Sequence, residues 1–164
     1  MKKVLLTLAF GSLFAVSCSS VKKAESAQTS RAEFLKMKGD WEITSVNYEK
    51  GYQIKPFDEG ADAQCFVVSH WRLIPNNYSG AYTIKGGGNC PTVTQPIKFE
   101  VTKDNEFKFK KLVADTKAKN VTAGYILQIE KQDTDNFTLV QSVPFEGNMI
   151  KVYYNFVRTG MEQK

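Results

Sequence analysis

The side chains with the most specific chemistry in this chain are three cysteines and one histidine. Cys18 stands near the N-terminus, whereas Cys65 and Cys90 lie within the body of the sequence. Two thiols exported to an oxidising compartment can form a disulfide; kept reduced, they can stay free or bind a metal. A single histidine, His70, excludes a histidine-rich metal site. A serine nucleophile beside it would have to be Ser69 or a remote serine, and neither has the strand-turn-helix context that exposes one. Asp58 and Glu59 lie in a loop beside Gly60, and the other carboxylates are scattered among lysines. No pair is spaced for acid–base work. Gly86-Gly87-Gly88 lacks the Lys-Ser/Thr that completes a phosphate loop, so it reads as a turn. The chain is expected to be no enzyme, with no cofactor and no metal.

The surroundings of Cys18 give it a different chemistry. Met1, Lys2 and Lys3 form a short positive region, Val4 to Val16 an apolar run, and Ala15-Val16-Ser17 a small-residue approach to the cysteine. That order is a secretory signal. The apolar run is shorter than the roughly 20 residues that span a bilayer. Ala15-Val16-Ser17-Cys18 resembles the lipobox of bacterial lipoproteins. The resemblance implies cleavage before Cys18 and acylation of its thiol and amine, and more than one acyl chain anchors stably. Residues 1–17 are then a signal peptide. Ser19 to Ser30 is rich in Ser, Ala, Lys and Glu without an aromatic, so 18–30 reads as a lipidated flexible tether of about 20 Å reach. Ser19 is not the aspartate that marks inner-membrane retention in many such lipoproteins, which points to the cell envelope at the outer membrane, in either leaflet.

Residues 31–164 are enough for one domain with a core. The formal charge of +5 falls to +3 when Lys2 and Lys3 leave with the signal, which does not argue for nucleic acid. Lys108-Phe109-Lys110-Lys111 reads as the wet side of a strand rather than a nucleic-acid face. Ser30-Arg31-Ala32-Glu33 has the form of a capping box, predicting a short helix through Lys38 with Phe34 and Met37 on one side and Gly39 at its end.

Beyond Gly39 the apolar residues recur with period two, the mark of strands with one buried face. The runs are Trp41–Val46, Phe66–Ile74, Ser79–Lys85, Ile97–Thr102, Phe107–Lys110, Tyr125–Ile129, Phe137–Leu139 and Ile150–Phe156. Turn residues separate them: Asn76-Asn77, Gly86 to Asn89, Asp104-Asn105, Asp133 to Asn136 and Glu146 to Asn148. Eight evenly spaced antiparallel strands predict a closed barrel or a sandwich, and eight strands close around side chains or one small ligand. Positions 65 and 90 are equidistant from the turn at 76–79, so a bond between them would staple the open end of that hairpin. It would contribute roughly 3–4 kcal/mol on the chain-entropy model.

Gly39-Asp40-Trp41, at the first strand after a short helix, resembles the Gly-x-Trp signature of lipocalins. Thr134-Asp135-Asn136-Phe137 resembles their second region, and Arg158 stands where that family keeps an arginine on the last strand. The resemblance implies an eight-stranded antiparallel up-and-down β-barrel with a short N-terminal helix. It also implies Arg158 packed over the Trp41 indole at one barrel end, and Arg158 does share strand parity with Phe156 and Tyr154.

The function expected is binding of a small hydrophobic or amphipathic ligand in the barrel mouth. The inward candidates are Tyr82, Phe99, Phe109, Tyr125, Leu127, Phe137 and Tyr154, whose phenols would supply polar handles. The alternative is an envelope lipoprotein with a filled barrel that binds a protein partner. The long connection Lys50–Gln64, with Tyr52, Pro56 and Phe57, is a lid or a docking loop in either case.

Overall fold

The computed structural model describes residues 31–49, 51–114, 117–121 and 123–160. The signal segment 1–17, Cys18, the tether 18–30 and the cap residue Ser30 lie outside the described residues. Helix α1 covers residues 31–36, two residues shorter than the capping pattern predicts. Its last turn tightens to three-residue spacing, with Met37 N–H donating to the Phe34 carbonyl at 3.2 Å. Gly39 then opens the first strand at φ +132°, a conformation open to glycine and costly for other residues.

Eight strands follow: β1 Gly39–Asn47, β2 His70–Ile74, β3 Ser79–Gly87, β4 Cys90–Val101, β5 Glu106–Lys111, β6 Tyr125–Gln132, β7 Asn136–Phe145 and β8 Asn148–Gly160. Each pairs antiparallel with its sequence neighbours, and β8 pairs with β1. The sheet is a closed up-and-down barrel, the fold that the lipocalin resemblance implies. Closure leaves no edge strand to aggregate.

Two boundaries depart from the alternation. Phe66 is not in β2; it ends a 3-10 turn, Ala63–Phe66, and β2 starts at His70. The apolar run continues across a bend because Val68 takes a left-handed conformation, φ +57°. β4 begins at Cys90 rather than Ile97. Pro91 and Pro96 interrupt the strand signal there, yet Pro96 pairs with Ala81 in the ladder.

Period two sends one face inward. Trp41, Trp71, Tyr82, Ile97, Phe107, Phe137, Val152 and Tyr154 are all nearly inaccessible to solvent. A register shift between Ile43 and Ser45 lets both Ile43 and Val46 of β1 point into the core. The chain reversals sort into two ends. At one lie α1 and the connections β2–β3, β4–β5 and β6–β7; at the other lie the long β1–β2 loop, the β3–β4 and β7–β8 turns and the β5–β6 loop.

Candidate functional site

The α1 end is sealed. Arg158 stands 4.1 Å above the Trp41 ring. Its three guanidinium nitrogens donate to three carbonyls: Nε to Thr134 at 2.7 Å, Nη1 to Lys38 at 2.6 Å and Nη2 to Lys36 at 2.7 Å. The fork geometry of arginine is what lets one cation serve three acceptors and an aromatic face together. Asp135 lies 3.7 Å from Nε, and its carbonyl accepts the Arg158 N–H at 2.8 Å. Trp41 donates its indole N–H to the Met37 carbonyl at 2.8 Å and meets Phe137 edge-on at 4.6 Å. Phe34 of α1 packs on Tyr78 and Phe99. Gly39, Trp41, Thr134, Asp135 and Arg158 thus form one structural cluster that closes this end.

The other end is plugged by the β1–β2 loop. Phe57, 3% exposed, enters the barrel and meets Phe66, Phe109, Tyr125 and Tyr154 at ring distances of 5.1–5.5 Å. Below it, Trp71 on β2 contacts Tyr82 at 4.7 Å, Phe156 at 5.4 Å and Phe109 at 6.1 Å. Trp71 and Phe109 stand three strands apart around the barrel, so side chains meet across its interior. Of the residues nominated for a ligand, Tyr82, Phe99, Phe109, Leu127, Phe137 and Tyr154 are buried in this packing. Only Tyr125 reaches the surface of the mouth.

Polar bonds hold the plug. Lys111 shares parity with Phe107 and Phe109, so it too points inward, at the rim. Its Nζ donates to Glu59 Oε1 at 2.7 Å and to the Phe57 carbonyl at 2.9 Å. Tyr82 donates its hydroxyl to the same Glu59 oxygen. Tyr125 donates to Asp58 Oδ2 at 2.7 Å. Burial, then the Glu59 carboxylate, pushes the Tyr82 phenol far above its ordinary pKa. Burial, then Asp58, does the same for Tyr125, and burial first of all for Tyr154. All three phenols therefore stay neutral donors. Cys65 and Cys90 are disulfide-bonded, which ties the C-terminal end of the loop to the start of β4.

Above the plug lies a cleft of about 360 Å³, walled by Tyr52, Ile54, Phe57, Tyr125, Val143 and Phe145. Tyr52 and Phe145 meet edge-on at 5.3 Å across it. A larger hollow, about 550 Å³, runs along the outer wall of β4, β5 and β6. It is rimmed by Lys98, Glu100, Lys108 and Lys110, and two of these ammonium groups already donate to loop carbonyls, at Asn77 and Val121. The mouth cleft is the smaller, but it lies at the end of the barrel where the loop enters, and two charged residues border it, Lys55 and Asp58, against four on the outer hollow.

His70 lies on the outer side, 3.6 Å from Asp40 and partly exposed. Among the described residues no three His, Cys, Asp or Glu side chains gather as a metal site.

The barrel is similar to two solved structures of bovine odorant-binding protein. One is its complex with a selenium-containing odorant, at 11% identity and a TM-score of 0.44, covering 79% of this chain and 74% of that one. The other is a deswapped triple mutant, at 12% identity and a TM-score of 0.39, covering 75% and 74%. No protein-family model matches the chain, and no curated protein matches its sequence.

Proposed function

We propose that this chain is a non-catalytic envelope lipoprotein that binds a small hydrophobic or amphipathic molecule in the mouth of its barrel. The cleft above Phe57 carries the reading. It is concave, lined by aromatic and aliphatic residues, and edged by a few polar groups, Gln53, Lys55, Asp58 and Gln141. Its volume is at the lower end of the roughly 300–1,000 Å³ of ligand pockets. Lipid on Cys18 would hold the barrel beside a membrane, within tether reach of apolar cargo.

Titration with the neutral fluorophore N-phenyl-1-naphthylamine tests the reading. One saturable site per chain is expected, weakened about tenfold by Val143→Asp, which puts a charge on the cleft wall. Binding that never saturates, or that ignores Val143→Asp, would overturn it. The packed interior favours a second reading, in which the barrel is a solid platform for an envelope protein. Phe145 and Met149, 45% and 61% exposed on the β7–β8 hairpin, would be its contact. A chain that binds no probe but runs as a larger complex from solubilised membranes favours that reading.

A further inference from the structure

The plug has the chemistry of a ligand. Phe57 offers an aromatic ring to four surrounding rings, and two residues on Glu59 offers a carboxylate to a lysine and a phenol. We propose that the space held by Phe57 and Glu59 is a second, inner compartment of the same site. Its ligand is an amphipathic carboxylate that displaces the segment Pro56–Glu59 and takes over its partners, Lys111 and Tyr82. The inference rests on the reading of the mouth as a ligand site and extends it to the ligand's charge.

Three observations carry it. The first is Lys111, an inward cation on a wall of phenylalanines, with a side chain only 20% exposed. Both of the acceptors bonded to its ammonium, the Glu59 carboxylate and the Phe57 carbonyl, belong to the loop. A half-buried ammonium is costly to leave unpaired. Lifting the loop therefore demands a replacement anion, and an apolar ligand without one would leave Lys111 and Tyr82 unsatisfied. The second is backbone conformation. Phe57 and Asp58 are consecutive non-glycine residues in the left-handed region, at φ +57° and +52°. This region is strained for residues with a Cβ, and lifting the segment releases that strain. The third is the placement of freedom. Gly51 and Gly60, at φ +103° and +69°, flank the segment, and a Cβ added at either would meet nothing within 4 Å. The disulfide at Cys65 fixes the chain beyond Gly60. Ile54 is buried and its carbonyl accepts the Ala63 N–H at 2.7 Å, so the part that can move runs between Ile54 and Gly60 while the rest of the loop stays in place.

The matching probe is 3-phenylpropanoate, an aromatic ring joined by two methylenes to a carboxylate; its neutral counterpart is 3-phenylpropan-1-ol. Isothermal titration of the full chain compares the two. The acid is expected to bind about tenfold tighter than the alcohol, the scale of a charge-assisted hydrogen bond. Lys111→Met is expected to erase that preference and Lys111→Arg to keep it. The double substitution Phe57→Ala with Glu59→Gln is expected to tighten acid binding about tenfold, because the internal competitor is gone. Near-ultraviolet circular dichroism of the buried tryptophans checks that each variant is folded. Equal binding of acid and alcohol, or an acid preference that survives Lys111→Met, overturns the inference and leaves the mouth site standing. So does N-phenyl-1-naphthylamine binding that neither phenylpropyl compound displaces in any variant. If no variant binds any of the three compounds, the ligand reading falls together with the inference.

Discussion

Two inward-pointing cations mark the two ends of this barrel, and their partners explain their different roles. Arg158 spends its donors on carbonyls of α1, of the link from α1 to β1 and of the β6–β7 turn, and stacks on Trp41. Lys111 spends its donors on a loop. Arg158→Lys should therefore cost about 2 kcal/mol in urea unfolding, since an ammonium cannot serve three separated carbonyls and an aromatic face. Probe binding at the other end should be unaffected. The tyrosines give a residue-scale prediction in pH. Tyr82, Tyr125 and Tyr154 have folded pKa values raised above the ordinary value near 10. A raised pKa favours the protonated form in the folded state. Its stabilisation is complete below pH 10 and is lost as pH rises above that. Absorbance at 295 nm should show these three phenols ionising only as the protein unfolds. Ionisation of all seven tyrosines in one step near pH 10, with the fold intact, would contradict this burial. The parity of Arg158 was legible in the sequence. The same parity marks Lys111, two residues on from Phe109, but its run of lysines resembles a solvated face until the loop that receives it is placed.

At the scale of elements, the β1–β2 loop is the part that alternation could not describe. Its apolar residues follow no period, because they fill a mouth rather than cover a sheet. Phe66 merges into the β2 pattern for the same reason, and Pro91 and Pro96 hide the first half of β4. The strands with a clean period, β5, β6 and β8, were readable from their side chains alone. The Cys65–Cys90 bond joins the loop to the barrel across a separation of 25 residues. Its reduction should lower the unfolding free energy by about 3.5 kcal/mol on the chain-entropy model. The effect should appear as a lower urea midpoint, and exchange of amide hydrogens should rise first in the loop around Ala63–Phe66. An unchanged midpoint after verified reduction would count against the loop as a stabilised element.

For the whole molecule, closure and filling act together. The eight strands leave no free edge, and rings of β2, β5 and β8 meet in the interior. Eight-stranded closure was legible in the strand count and turn spacing. The filling was not, since period two reports which side chains point inward but not whether they touch across the axis. That depends on volumes summed over all eight strands and the loop. The cleft is consequently at the rim, and the inner compartment is one the chain itself occupies. The proposed anchor acts at this scale too: Cys18→Ala should move the protein out of the lipid-modified membrane pool, and unaltered acylation of that variant would contradict the anchor.

Native mass spectrometry of the full chain, purified from the envelope that makes it, tests the central claim most directly. Acyl chains on Cys18 are covalent and survive denaturation, whereas cargo in the mouth does not. The account predicts an additional small mass, one per chain, that disappears on denaturation and returns when the compound is added back. A protein that carries no such mass, and takes up none when challenged with small apolar and carboxylate compounds, would contradict it.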